Sequence, residues 1–321
     1  MTDKERVMAF FHREMTDELP PASGLFVARG NAFHERPPFV QDGVDWFGVP
    51  WKREENINAL APDHSKDPIL ADISDWREVV TFPDLDSWQW DRVEELDQVS
   101  TWDREHKVID MMVHNGPFER MHTLMGFENA LCAFLTDPEE VHAFLDAFME
   151  WKCKLIEKIH TYYHPDVLMF HDDYGTQTNM FFSPDIWRAF FKPQLKKAVD
   201  KTHELGMLFE LHSCGFMEQI IPEFAEIGVD SFQGQEINDI EKMKAITGSK
   251  MAYHTTPKYQ DFHGAYLTGT LTEAFVRERI REGIQKLAPG GCYMPMPLPG
   301  KDWWLDIMID EIAKTGKDIY R

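Results

Sequence analysis

Short apolar runs alternate with longer amphipathic segments from about residue 107 to the end of the chain. The runs read KVIDMMV, DVLMFH, MLFELHS, GVDSFQG, KMAYHTT and GGCYMPMP, and GLFVA near residue 24 resembles them. Runs of this length are typical of buried strands, whereas the longer segments have the apolar spacing of helices. The alternation of the two predicts parallel βαβ units.

Residues at the expected helix ends support this interpretation. Asp137 is the predicted N-cap of one long helix, and Ser183 is the predicted N-cap of the next. Pro193 falls inside that second helix and predicts a kink there. Thr270 and Glu273 have the spacing of a capping box for the helix before the last apolar run.

The predicted fold class is α/β, a (β/α)₈ TIM-type barrel built from these strands and helices. No glycine-rich nucleotide-binding fingerprint follows the first strand, which disfavours a dinucleotide-binding fold. Residues 30–106 are rich in Trp, Asp and Pro and do not follow the alternation. We therefore expect one domain over residues 1–321, with an N-terminal elaboration between the first two barrel strands.

Composition narrows the class of protein. Of 321 residues, 43% are apolar and 27% are charged, as expected for a globular chain, and no apolar run is long enough for a membrane span. The net charge of −22 argues against nucleic-acid binding, which requires a basic surface. The N-terminal segment is amphipathic and lacks the features of a signal peptide, so we expect a cytoplasmic protein.

Three residues at predicted strand ends form a candidate metal site. His212 and Cys214 are two positions apart, so in an extended backbone their side chains point the same way. Cys292 belongs to a distant strand that a closed barrel would bring close. One imidazole, two thiolates and an open fourth position are typical of catalytic zinc. The alternative is a buried cysteine beside a hydrogen-bonded histidine, and core packing is expected for Cys132 and Cys153.

Other residues at the strand ends are candidates for catalysis or substrate binding. Asp172 and Glu210 are candidates for acid–base work or for orienting a metal ligand, and Asp173, which shares the strand end with Asp172, is a weaker candidate for the same roles. Glu210 and Glu236 are also candidates for a fourth ligand. The candidates for substrate binding are His171, Tyr174, Glu236 and Trp303. The alternatives are a carboxylate that caps a helix and aromatic side chains that pack helices on the barrel.

The chain resembles the uroporphyrinogen decarboxylase superfamily, and within it the zinc-dependent corrinoid methyltransferases. The segments DWFGVPW, GPFERMHTLMGFENAL and HSCG match recurring segments of that superfamily in order. The resemblance implies a (β/α)₈ barrel with its site at the carboxyl ends of the strands. It also implies that His212, Cys214 and Cys292 are zinc ligands, as in methylcobamide:thiol methyltransferases.

Two family segments are missing. The arginine-rich R-Q-A-G-R segment that binds substrate carboxylates in porphyrinogen decarboxylases is replaced by VARGNAFHERPPF, so decarboxylation of a substrate with many carboxylates is not expected. A cobalamin-binding Asp-x-His-x-x-Gly segment is absent, and DFHGAYLTG imitates only part of it. By the resemblance, cobalamin would be carried by a separate corrinoid protein that docks over the barrel mouth.

The resulting hypothesis is zinc-dependent methyl transfer between a small substrate and that corrinoid. An aromatic and Met-rich mouth with few cationic residues favours O-demethylation of a methoxylated aromatic substrate. The first alternative is a methylcobamide:thiol methyltransferase that acts on a thiol acceptor. A decarboxylase-like lyase and a non-catalytic corrinoid- or heme-binding protein are further alternatives.

Overall fold

The computed structural model of the chain describes residues 1–33, 35–37, 41–54, 59–297 and 303–320. Two sheets contain the strands of these residues. The strands are β1 (Leu25–Ala28), β2 (Gly43–Val44), β3 (Pro50–Glu54), β4 (Ala59–Pro62), β5 (Val108–Val113), β6 (Val167–His171), β7 (Leu208–His212), β8 (Ser231–Gly234), β9 (Ala252–Thr255) and β10 (Tyr293–Pro295).

Helices connect and flank these strands. They are α1 (Asp3–Phe11), α2 (Trp76–Val79), α3 (Val93–Asp97), α4 (Pro117–Met125), α5 (Phe127–Thr136), α6 (Pro138–Tyr163), α7 (Pro184–Ile186), α8 (Lys192–Glu204), α9 (Ile221–Glu226), α10 (Ile240–Thr247), α11 (Tyr259–Leu267), α12 (Glu273–Leu287) and α13 (Trp303–Gly316). Short 3₁₀ turns cover Ala22–Gly24, Ile73–Asp75, Leu85–Ser87, Trp90–Arg92, Val99–Thr101 and Gly248–Lys250. No helix of the described ranges combines the length and the apolar character that crossing a membrane requires.

The main sheet has seven strands in the order β1-β5-β6-β7-β8-β9-β10, and every neighbouring pair is parallel. Each apolar run noted in the sequence forms one of these strands, so the prediction of an α/β fold with a parallel sheet is confirmed. Within the described ranges the sheet has β1 and β10 at its edges and no eighth strand. A closed eight-stranded barrel is therefore not shown.

Helix α1 fills one end of this sheet. Its buried side chains Val7, Phe10 and Phe11 pack in one cluster with residues at or near the amino ends of six strands, namely Leu25, Val108, Val167, Leu208, Ala252 and Met294. Strands at both edges of the sheet reach the same short helix, so the sheet curls around it. This curvature is consistent with a TIM-type fold. The carboxyl ends of the strands lie at the opposite end of the sheet from α1.

The predicted helix ends are correct in part. The Ser183 hydroxyl accepts the Ile186 N–H at 3.3 Å, and a π-helical turn over Trp187–Phe191 precedes Pro193, which relieves its missing hydrogen bond. Asp137 occupies the N-cap position of α6. The capping box at Thr270 is wrong, because α12 begins at Glu273 with Thr272 as its N-cap.

Residues between β1 and β5 form a layer of their own, with the antiparallel sheet β2-β3-β4 and several short helical turns. The buried Asp45 carboxylate organises this layer. It accepts the backbone N–H groups of Phe47 at 2.9 Å and Val49 at 3.0 Å, and the Trp51 indole N–H at 2.9 Å. The Arg120 guanidinium of α4 donates to the same carboxylate at 2.7 Å. This bond joins the layer to α4, the helix that follows β5.

The two helical cysteines differ in exposure. Cys153 on α6 is half-buried, whereas Cys132 on α5 is exposed. The prediction of core packing is therefore wrong for Cys132, because the apolar face of α5 is formed by Ala130, Ala133 and Phe134.

Removing a large buried side chain from α1 is expected to destabilise the fold. Phe10 is 1% exposed, so Phe10→Ala should lower the free energy of unfolding by about 3–5 kcal/mol. Urea denaturation of the purified protein measures this. The control is Leu135→Ala on α5, where a side chain that is 78% exposed should contribute less than about 0.5 kcal/mol. Equal losses for both variants would contradict the buried position of α1.

Candidate metal site

The last residues of β6 and β7 bring two histidines together. His171 and His212 are partners in the parallel register, and their rings stack with centroids 4.4 Å apart and an interplanar angle of 18°. Asp173 follows β6 by two residues. One ligand atom from each of His171, Asp173 and His212 lies within 4.8 Å of the others, a spacing that suits a bound metal ion.

Cys214 adjoins this triad. Its Sγ lies 3.4 Å from His212 Nε2, and its backbone N–H donates to Asp173 Oδ1 at 2.6 Å. The structure thus brings the His-x-Cys pair together, as its spacing predicts. Burial and the Asp173 carboxylate raise the pKa of the Cys214 thiol, and a bound cation would lower it again.

Cys292 does not join the site, and its prediction as a ligand beside His212 and Cys214 is wrong. Strand β10 begins at Tyr293, so Cys292 precedes the strand rather than following it. Its Sγ lies 3.8 Å from the Arg13 carbonyl oxygen, in the apolar cluster around α1. This cluster is at the amino end of the sheet, opposite the two histidines.

A different side chain lies against Nδ1 of each imidazole. His212 Nδ1 is hydrogen-bonded to Gln233 Oε1 at 2.6 Å, which leaves Nε2 of that ring for a metal. His171 Nδ1 lies 2.9 Å from Glu119 Oε1 in an ion-pair contact that lacks hydrogen-bond geometry. The negative carboxylate favours a proton on this Nδ1, so Nε2 faces a metal in this ring too. Two imidazoles, a carboxylate and an adjacent thiol therefore fit Zn²⁺ or another divalent transition ion.

Residues 67–279 match the model of the family described as uroporphyrinogen decarboxylase (URO-D). This chain belongs to the uroporphyrinogen decarboxylase family. The match covers most of the main sheet, including both histidines of the triad, and thereby confirms the superfamily named from the sequence segments.

Solved structures similar to this family member include a methyltransferase from Methanosarcina mazei, with a TM-score of 0.68, 14% sequence identity and 100% coverage of both chains. An Old Yellow Enzyme from Pichia sp. AKU4542 matches with a TM-score of 0.40 and 12% identity, over 70% of this chain and 66% of that one. No curated protein matches the chain. At this identity the first likeness shows the fold alone.

Asp172 of this uroporphyrinogen decarboxylase family member caps a helix. Its wholly buried carboxylate accepts the backbone N–H groups of Phe118 at 3.2 Å and Glu119 at 2.8 Å, at the first turn of α4. A Cβ at Gly116 would lie 2.4 Å from the Asp172 Cβ, so glycine is needed for this approach. The geometry favours the capping alternative over a catalytic role for Asp172.

Glu210 lies inside the sheet, one layer below the triad, as its place in the strand predicts. Its carboxylate accepts Ser231 Oγ at 2.9 Å and Gln233 Nε2 at 3.3 Å, and lies 3.2 Å from His254 Nδ1. Glu210 therefore reaches His212 through Gln233. Because these contacts engage its oxygens, the arrangement does not support Glu210 as a fourth ligand.

The predicted substrate residues occupy different surroundings. Tyr174 has no exposed surface and packs against Phe182, Trp187 and Phe191, which favours the packing alternative over substrate binding. Trp303, at the start of α13, is 54% exposed, and its role in substrate binding stays a prediction.

Glu236 lines a cavity of about 300 Å³ near the carboxyl ends of β8 and β9. It accepts the Lys258 N–H at 2.7 Å and the Thr255 hydroxyl at 3.4 Å. Burial raises the pKa of Glu236 to about 7. The assignment of Glu236 to substrate or metal binding stays a prediction.

A second cavity of about 320 Å³ lies between the β3-β4 hairpin and the α4-α5 junction. His122 lines it, with its ring 5.1 Å from that of Phe118 and 5.6 Å from that of Phe127. Burial lowers the pKa of His122 to about 4, so the imidazole is neutral near pH 7. The charges of Glu119 and Asp173 oppose this lowering of the pKa, whereas the residues that line the cavity do not include the triad.

Sequence reasoning missed three residues near this site, namely Glu119, His122 and Gln233. Glu119 and His122 belong to the segment GPFERMHTLMGFENAL, so that segment contained a signal. Gln233 ends an apolar run with no feature that distinguishes it.

Zinc affinity should depend on the histidines of the triad and not on Cys292. His212→Ala is expected to weaken Zn²⁺ binding by more than about 100-fold, because it removes a ligand rather than a supporting contact. Cys292→Ser, at the other end of the sheet, should leave the affinity unchanged. Competition with a chromophoric chelator measures both dissociation constants. A Cys292→Ser variant that loses zinc while His212→Ala keeps it would contradict the assignment.

Glu236 predicts a pH-dependent stability. Its pKa is raised from 4.5 to about 7, so the folded chain holds a proton that the unfolded chain releases, and wild-type stability falls as the pH rises through this window. Glu236→Gln lacks this loss. Relative to wild type it should gain stability between pH 4.5 and pH 7, by up to about 3 kcal/mol. Urea denaturation at several pH values measures the difference, and a constant difference would refute the shift.

Proposed function

We propose that this protein is a metal-dependent methyltransferase that moves a methyl group between a small substrate and the corrinoid of a separate protein. The observation that carries the proposal is the convergence of His171, Asp173 and His212, beside Cys214, at the carboxyl ends of parallel strands. In barrels of this type, reactive residues occupy that end. The full-length likeness to a Methanosarcina mazei methyltransferase supports the reaction class.

Zinc is the proposed ion. His212 and Cys214 keep the ligand role predicted for them from the sequence, while His171 and Asp173 take the place of Cys292. When bound, the ion would supply a Lewis acid for an oxygen or sulfur atom of the reactant. The chain itself holds His171 through Glu119 and His212 through Gln233, so the ligand nitrogens are oriented before the ion arrives.

The cavity that His122 lines is the proposed substrate pocket. Its volume of about 320 Å³ suits a small molecule, and its walls include the apolar Ile69 and Phe127. The polar and charged lining residues are Asp63, His64, Lys66, Asp67, His122, Glu128 and Asn129. A neutral His122 between aromatic rings offers a flat surface without charge. These features favour a methoxylated aromatic donor.

In the proposed direction, the bond between the methyl carbon and the ether oxygen breaks. The methyl group passes to the reduced cobalt of the partner's corrinoid, and the phenolate that leaves takes up one proton from water. The chain contributes binding, orientation and exclusion of water in this step. No proton transfer is assigned to Asp172, whose carboxyl group accepts two backbone N–H groups at the first turn of α4.

A methylcobamide:thiol methyltransferase is the second candidate, and one observation favours it. The Arg36 guanidinium donates to Glu119 at 2.8 Å, and Glu119 lies 2.9 Å from His171, so a cationic side chain is present close to the triad. Arg29 directly follows β1, and burial, followed by the charge of Arg36, lowers its pKa. Positive charge at this end of the sheet would attract a thiol acceptor that has an anionic group.

A methyl-transfer assay tests the function and its direction. Zinc-loaded protein mixed with cob(I)alamin and a panel of methoxyarenes is expected to produce the absorption spectrum of methylcobalamin. His212→Ala should lower kcat/KM by at least about 100-fold, because the ligand set is incomplete. The same protein is mixed with methylcobalamin and thiols to measure the reverse direction.

The outcomes separate the alternatives. Consumption of methylcobalamin by a thiol, with no reaction of the methoxyarenes, would select the thiol methyltransferase. A lyase activity that survives removal of zinc would select the decarboxylase-like alternative. Tight corrinoid binding without transfer would select the non-catalytic alternative. Zinc-loaded protein without methyl transfer in either direction refutes the proposal.

A further inference from the structure

One carboxylate contacts both the metal triad and the N-terminal elaboration. Glu119 Oε1 lies 2.9 Å from His171 Nδ1, while Glu119 Oε2 accepts the Arg36 Nη2–H at 2.8 Å and the Asn115 N–H at 3.1 Å. The Glu119 side chain is only 7% exposed, so water competes little for these contacts. The carboxylate therefore joins a candidate metal ligand to a residue outside the main sheet.

Arg36 is itself held by its surroundings. Its Nε–H donates to Asn115 Oδ1 at 2.8 Å, and its guanidinium carbon lies 5.0 Å above the Trp51 ring of β3. The Trp51 indole is in turn fixed by Asp45, which organises the elaboration. The position of Arg36 thus depends on how the elaboration sits on α4.

We propose that Arg36 and Glu119 form a positioning unit through which the N-terminal elaboration sets the metal affinity of the triad. Both are positioning residues, since they act on the ion through His171. A negative carboxylate 2.9 Å from Nδ1 favours the tautomer that presents Nε2, and Arg36 holds the carboxylate in place. By linkage, metal binding must then stabilise the docked elaboration to the same extent.

The second histidine provides an internal contrast. His212 is oriented by Gln233, a neutral residue of the neighbouring strand, and Gln233 is braced by Glu210 within the sheet. No residue of the elaboration belongs to these two contacts. The elaboration therefore acts on the triad through the His171 side.

The chain offers a matched control for Arg36. Arg77 of α2 also comes from the elaboration, pairs with a glutamate of a sheet-flanking helix, Glu140 of α6, and stacks 4.5 Å from an indole, that of Trp76. This second arginine pair lacks the contact with a metal ligand. Arg77→Met therefore removes a more exposed arginine–glutamate contact of the same layer and leaves the triad untouched.

The test measures Zn²⁺ dissociation constants and the visible spectrum of the Co²⁺-loaded protein. Arg36→Met and Glu119→Gln are each expected to weaken Zn²⁺ binding by about 10–100-fold and to change the Co²⁺ bands. Arg36→Lys, which keeps the charge, should recover part of the affinity. Arg77→Met should change the affinity by less than about twofold, since it does not touch the ligand set.

Hydrogen exchange tests the reciprocal effect. Adding Zn²⁺ to the wild-type protein is expected to slow exchange in β3 and β4, and this protection should be lost in Glu119→Gln. Unchanged affinity in folded Arg36→Met, or equal weakening in Arg77→Met, would overturn the inference.

The inference rests on the metal site of the proposed function. Different results would contradict the metal site and the positioning unit. Wild-type protein that binds neither Zn²⁺ nor Co²⁺ overturns the metal site together with the positioning unit. Wild-type protein that binds Zn²⁺ while no variant changes its affinity overturns the positioning unit alone. Metal-replete protein without methyl transfer overturns only the proposed reaction.

Discussion

The parallel register of β6 and β7 is the constraint on which the site depends. It pairs His171 with His212, the last residues of β6 and β7, so the two imidazoles meet where both strands end. The residues that follow then fall into place, with Asp173 and Cys214 joined through a backbone hydrogen bond. A shift of one residue between these strands would send one of the two rings to the other face of the sheet.

The site is supported from two sides that differ in character. Below it, Gln233 and Glu210 form a hydrogen-bonded layer inside the sheet. Beside it, Glu119 is fixed by the side chain of Arg36 in the elaboration. One support is an integral part of the sheet, and the other arrives from a separate layer of the chain. One histidine of the pair is thus contacted by residues of the sheet, and the other by a residue that the N-terminal elaboration holds.

The sequence predicted the parts that depend on local pattern. The strands were predicted because buried runs in a parallel sheet are continuously apolar, and the His-x-Cys pair because spacing in an extended chain is local. Cys292 was misplaced because its run begins with Gly290 and Gly291, both at positive φ, so the turn extends through the cysteine before the strand starts. The contact of Glu119 with His171 joins distant residues of the chain, and no local pattern encodes it.

The packing of α1 against the amino ends of the strands affects the order in which reactants could bind. Phe10 and Phe11 fill the amino end of the curled sheet among the described residues, so a reactant would reach the two histidines from the carboxyl ends of the strands. In the proposed transfer, a small donor and a macromolecular acceptor would both approach from there. The donor would then bind before the acceptor, and its product would leave after the acceptor has dissociated.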